Sequence, residues 1–157
     1  GSEMCIRDRF KTMSKREDIA SHIVSTIEGI SSPSIKKVTR QPFNLEELSQ
    51  AQYPAVLVQT QEETKEDQEV GSGAKTRICN LEFLITGYTK GTEDNIDTAR
   101  NNLASAIETE LESDITRNNK ALDTEVISLE TDAGTLFPYG AISMVVRVIY
   151  EHDSATP

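Results

Sequence analysis

Lys75-Thr76-Arg77-Ile78-Cys79-Asn80-Leu81-Glu82-Phe83-Leu84-Ile85-Thr86-Gly87-Tyr88 reads as one long β-strand. Cys79, Leu81, Phe83 and Ile85 alternate with Asn80, Glu82, Leu84 and Thr86. Successive strand side chains point to opposite faces, so one face of this strand is strongly apolar and the other is mixed. Upstream, Tyr53-Pro54 introduces Ala55-Val56-Leu57-Val58-Gln59-Thr60, rich in β-branched residues with its proline at the start, where a strand tolerates one. Between the two strands, Gln61 to Ala74 contains Glu62, Glu63, Lys65, Glu66, Asp67, Glu69 and the turn Gly71-Ser72-Gly73. Such a charge run cannot bury itself, which predicts a solvated loop or the tip of a long hairpin.

Further out on the N-terminal side, Ser14 and Glu17 have capping-box spacing. Ile19, Ile23, Ile27 and Ile30 then recur every three or four residues, the stripe of an amphipathic helix that Gly29 and Ser31-Ser32-Pro33 end. Ile35 to Arg40 predicts a short strand, and Asn44 with Glu47 a small helix carrying Leu45 and Leu48. On the C-terminal side, Thr92 is the expected N-cap, with Glu93, Asp94 and Asp97 near the positive end of a helix dipole. Ile96, Ala99, Leu103, Ile107 and Leu111 mark that helix's buried stripe, which ends near Glu112 or Ser113. A polar connection from Asp114 to Asp123 leads to strands over Thr124–Thr131 and Gly140–Glu151, separated by Asp132-Ala133-Gly134.

Runs of strands with two helices predict an α+β fold, an antiparallel or mixed β-sheet of about four to five strands with two main helices packed on one side. Strand and helix do not alternate as in a dinucleotide-binding fold.

The length of 157 residues suits one domain. Hydrophobic residues make up 36% and aromatics 5%, with no Trp, so the expected core is mainly aliphatic. A formal net charge of −10 argues against a broad surface for gripping phosphates. No apolar run approaches the roughly 20 residues that span a bilayer, and no apolar signal segment precedes Met13. Gly1-Ser2 resembles a protease scar, and Met4-Cys5-Ile6-Arg7-Asp8-Arg9 the translation of a sequencing-library adapter. Residues 1–12 are therefore expected to be a non-native or disordered extension, 13–153 a single α+β domain and 154–157 a frayed tail.

No catalytic, cofactor-binding or metal site emerges. Cys5 and Cys79 lack any paired metal-ligand spacing, and Cys79 reads as a buried thiol in a reducing compartment. His22 and His152 stand in no ligand or nucleophile motif and read as solvated or partly packed. Glu108, Glu110 and Glu112, two residues apart on a helix, point to different faces. The acids at Glu62, Glu63, Glu66 and Asp67 lack the ligand spacing and closing Glu of a calcium loop. Gly71-Ser72-Gly73-Ala74-Lys75-Thr76 is too short for a P-loop and precedes a strand rather than a helix. No Ser, Cys or Thr occupies a nucleophile elbow.

From Ser14 to Asp153 the arrangement resembles the tail-terminator, or tail-completion, proteins of long-tailed bacteriophages. The matching features, in order, are the helix opening Lys15-Arg16-Glu17-Asp18-Ile19-Ala20, the strand Tyr53-Pro54-Ala55-Val56-Leu57-Val58 and an acidic hairpin entering Leu81-Glu82-Phe83-Leu84-Ile85-Thr86-Gly87-Tyr88. The helix Ala99–Leu111 and the close Pro138-Tyr139-Gly140-Ala141-Ile142, running on to Tyr150, complete the order. The resemblance rests on order and texture rather than on an invariant motif. It implies a structural virion protein without catalytic residues, forming a hexameric ring that caps the tail tube and joins it to the neck or connector.

The implied partners are further copies of the chain, the tail tube protein, a neck, connector or head-completion protein, and the sheath where the tail contracts. DNA would pass through the lumen without specific binding. The implied location is the virion, after assembly in the bacterial cytoplasm, with no membrane partner and no cofactor. Candidate assembly residues are Glu62, Glu63, Glu66, Asp67 and Glu69, with Ile78 and Leu84 as a candidate apolar interface. Two other classes fit the same residues: a small α+β ligand-binding or regulatory domain, and an enzyme whose site is assembled across subunits. Another neck, head-completion or tail-tube role is the nearer alternative.

Overall fold

A computed structural model describes residues 14–67, 76–92, 94–132 and 138–153. Helix α1 (Lys15–Glu28) is followed by strands β1 (Lys37–Thr39), β2 (Ala55–Asp67) and β3 (Thr76–Lys90), helix α2 (Ile96–Ser113), and strands β4 (Asp123–Thr131) and β5 (Tyr139–Asp153). The five strands form one mixed sheet in the order β1-β2-β3-β5-β4, with β1 parallel to β2 and every other pair antiparallel. The expected α+β class, strand number and pair of helices are those observed. The expectations for residues 1–12 and 154–157 lie outside the described residues.

β3 is the centre of the fold. It pairs with β5 over its whole length, from Thr76 opposite Asp153 to Lys90 opposite Tyr139. Residues opposite one another share a face, so Leu81, Phe83 and Ile85 line up with Val148, Val146 and Met144. All six are buried beneath the helices. Ile19, Ile23 and Ile27 of α1 and Leu103, Ile107 and Leu111 of α2 complete this core. Gly87 permits the close approach: a Cβ there would lie 2.9 Å from Leu103 Cδ2 and 3.0 Å from Ile142 Cγ1.

α1 starts as expected, with Ser14 Oγ accepting from the Glu17 backbone N–H at 3.2 Å. The Glu17 carboxylate does not complete the capping box; it pairs with Arg40 beside β1. The expected N-cap Thr92 is replaced by Asn95, and α2 begins at Ile96. Asn95 Oδ1 reaches back to the Thr92 N–H at 2.9 Å, so the two residues form a tight turn before the helix. The early small helix is a single 3₁₀ turn, Leu45–Glu47.

Of the two expectations for Gln61–Ala74, a solvated loop or the tip of a long hairpin, the described part bears out the hairpin. β2 continues to Asp67, so Glu62, Glu63, Glu66 and Asp67 belong to a paired strand rather than to a loop. A bulge at Gln61 interrupts the register, between Thr60 opposite Phe83 and Glu62 opposite Glu82. Val56, Val58 and Thr60 share the helix-covered face before it, and Glu63 and Lys65 share that face after it. A charged strand half can therefore sit at the sheet's end, where acids reach water from one face and find partners on the other. Residues 68–74, with Glu69, lie outside the described residues.

Candidate assembly surface

Three arrangements of polar or exposed groups stand out beyond the core. The first lies under the N-terminus of α1. Glu63 turns toward the helices, where Oε2 is 2.6 Å from Arg16 Nη2 and Oε1 accepts from the Tyr150 hydroxyl. Lys65 Nζ is 3.0 Å from His152 Nε2, while His152 Nδ1 is 2.6 Å from its neighbour's carbonyl, Asp153 O. Those contacts assign the proton to Nδ1 and make Nε2 the acceptor for Lys65.

Cys79 is fully buried beside this group, and burial pushes its thiol up. Burial, reinforced by the Glu63 carboxylate, holds the Tyr150 phenol far above the ordinary tyrosine range. Lys65 thus sits between the His152 ring and the Glu63 carboxylate, 3.9 Å from the latter. His152 is buried rather than solvated, and its neighbours in space, Lys65 and Tyr150, are invisible to any local motif.

A second arrangement closes the end of α2. Arg117, Asn118 and Asn119 have φ of 48, 57 and 64°, three successive residues in the left-handed region. The turn carries the Arg117 side chain inward to 0% exposure, where Nη2 donates to the Leu111 and Asp114 carbonyls. A cation at a helix C-terminus is favourably placed against the dipole. Asp114 accepts from Thr116 and Asn118, bonds that hold its carboxyl below the ordinary range. His22 Nε2 on α1 is 3.8 Å from Asp114 Oδ2, and burial and the nearby Arg117 charge lower its pKa. Composition had marked Asp114–Asp123 only as a polar connection; the consecutive Asn118-Asn119, residues that tolerate positive φ, are the one hint of this turn.

The third arrangement is the sheet face that the helices leave uncovered. Register places Leu57, Leu84, Val145 and Ile149 on it, with Ile78 nearer the far end of β3. Glu62 and Glu66 project from the same face and are exposed. Ile78 and Leu84 are half-buried there, three pleat repeats or about 20 Å apart along β3. Of the expected assembly residues, the structure thus brings Glu62, Glu66, Ile78 and Leu84 onto one face and turns Glu63 away from it. The fold has two free edges of unlike character: β1 covers β2 only from Ala55 to Leu57, and β4 presents Ile127 and Leu129, 40% and 46% exposed, on the opposite side.

Among the described residues, no group of three or more His, Cys, Asp and Glu side chains is placed to hold a metal ion. No helix among them is long and apolar enough to cross a membrane. A shallow cleft of about 640 Å³ runs between the end of α1 and the outer face of α2, lined by Ile30, Pro33, Ser105, Ala106 and Thr109, with Glu110 as its titratable group.

No protein-family profile matches the chain. No curated protein matches it. Among solved structures, a chain from the virion of a native gene transfer agent (GTA) particle is similar at 11% identity, over 83% of this chain and 84% of that one, with a TM-score of 0.36.

Proposed function

We propose that this chain is a structural virion protein, a tail-terminator subunit whose ring caps a phage tail tube and joins it to the neck or connector. The observation that carries this reading is the sheet that helices cover on one side only. The other face carries an apolar band in which Leu57 is buried and Leu84, Val145 and Ile149 are half-buried, and the sheet itself ends in two unlike edges. A ring closes through a heterologous contact, which requires each subunit to offer two different surfaces. The order of elements that the sequence shares with tail terminators supports the same reading. In this role the chain is not an enzyme: the polar networks under α1 and at the end of α2 brace the fold, and assembly is the activity. Its partners are further copies of itself, the tube, and a neck or head-completion protein, and its place is the virion.

Light scattering across a concentration series of the purified chain tests this. A hexamer, or a monomer that becomes a closed ring as concentration rises, is the expected result. A discrete dimer with an enclosed apolar pocket would replace it with a ligand-binding or regulatory domain.

A further inference from the structure

The uncovered sheet face is electrostatically polar along its strands. At the end where β2 begins, register puts Lys37, Tyr88, Lys90 and Tyr139 on this face, around Ala55 and Ala141. Phe43 packs edge-on against Tyr88 with ring centroids 5.6 Å apart, and Tyr53 lies 5.6 Å from Tyr139. Lys37 Nζ sits 5.8 Å from the Phe43 ring centre and Lys90 Nζ 5.5 Å from that of Tyr139. Apart from Phe83 and Tyr150, which belong to the core, every aromatic side chain among the described residues is at this end.

At the opposite end the same face carries Glu62, Glu66, Glu82, Glu151 and Asp153. Among the described residues, Arg147 is the cation that register puts there, and Glu125 engages it at 3.3 Å. The lysine end has its own acid, Glu130, on β4. The charge left over is therefore positive at one end and negative at the other, with Leu84 and Val145 between them.

We infer that the aromatic–lysine end of this face docks the acidic strand ends of a second copy of the chain. Opposite charges meeting at the ends steer the two copies and set their direction. Tyr88 and Tyr139, both partly exposed, supply the stiff, amphipathic contact area in which interface energy concentrates, while Tyr53 is buried beside Tyr139. Contact through one pair of unlike ends leaves one end of each copy free for the next, the heterologous geometry that a ring needs, whereas pairing of both ends at once closes a two-fold dimer. The inference rests on the proposed self-assembly; it specifies the contact, and ring closure is a separate property.

The test reverses the charge at each end and then at both. Lys37→Glu with Lys90→Glu makes one variant, Glu62→Lys with Glu66→Lys a second, and all four substitutions in one chain a third. All four positions are at the surface or half-exposed, and thermal melts followed by circular dichroism confirm folding. The expected result is that each two-site variant needs at least tenfold more protein to assemble by light scattering, and that the four-site variant recovers wild-type assembly. If a variant does not fold, the wild type is read instead. Its assembly must weaken as salt shortens the screening length from about 10 Å at 0.1 M toward about 3 Å at 1 M.

A ring that responds in this way supports both contact and ring. A dimer that responds in this way supports the contact and removes the ring. Assembly indifferent to the reversals, or to salt where salt is the readout, overturns the contact and leaves the ring reading standing. A wild-type chain that remains monomeric at every concentration overturns the contact.

Discussion

Tyr150 on β5 and Glu63 on β2 are separated by 87 residues and share a hydrogen bond across the central strand, under the first turn of α1. Arg16 holds the second oxygen of the same carboxylate. The bond ties both strands flanking β3 to the helix above them. Tyr150→Phe keeps the ring and removes the donor, so it is expected to cost about 1.5–3 kcal/mol, the range for a hydrogen bond to a charged group. Arg16→Ala is expected to cost less, because its side chain is 40% exposed and water replaces it. Urea denaturation of both variants checks the order; an equal or reversed order would put the weight of the network on Arg16.

His22 and Asp114 give stability two separate dependences on pH. The folded-state pKa of His22 is lowered, first by burial and then by Arg117. The unfolded chain therefore takes up the proton first, and stability falls as pH drops below about 6.5. Asp114 is also lowered, chiefly by its bond from Thr116, so its contribution is present above its ordinary 3.8 and is lost as pH falls below that value. His22→Gln is expected to flatten the first decline and Asp114→Asn the second, each measured as melting temperature against pH. Identical profiles for wild type and His22→Gln would refute the first assignment.

Gly87 marks the point of closest approach between α2 and the sheet. Gly87→Ala places a methyl 2.9 Å from Leu103 Cδ2 and is expected to destabilise by about 1–3 kcal/mol, the usual cost of overpacking. The companion variant Gly87→Ala with Leu103→Ala, which makes room for the methyl, should lose less than the two single effects added together, a coupling that a double-mutant cycle reads directly.

Arg100 lies on the buried side of α2, where the sequence pattern had an aliphatic stripe. It pairs with Asp132 at the end of β4, with both side chains under 8% exposed, and Asp97 meets it at 2.9 Å. Removing one partner from a buried pair strands the other charge. Asp132→Ala is therefore expected to cost about 3–5 kcal/mol, and Arg100→Met with Asp132→Leu less than that single change. Chemical denaturation curves decide; a double variant worse than Asp132→Ala would show that the pair is net stabilising.

The stretch 75–88 revealed its strand, and with it the sheet's centre, because alternation with a single buried face is a local signal. The isoleucines of α1 were equally plain. Glu63 was not, since nothing near it in sequence announces Arg16 or Tyr150; the residues that make its side chain a buried one arrive from an N-terminal helix and the last strand. Arg100 was hidden for the same reason, since Asp132 lies 32 residues further on. Arg117 meets carbonyls close by in sequence and was hidden because only the left-handed turn carries its side chain inward. The uncovered face was legible in part, through the mixed alternation of Ile78 and Leu84. Its division into a lysine end and an acidic end needed the register of β5 and β4.

Gln61 works as a joint in β2. Ahead of it the even-numbered residues face the core, and beyond it the odd-numbered ones do. Deleting Gln61 would straighten the edge while leaving every cross-strand partner where it is. Inserting one residue between Glu62 and Glu66 would put the strand out of phase, trading carboxylates between water and core. The length of this segment is thus under tighter constraint than its composition, and substitutions should be tolerated there far more readily than insertions.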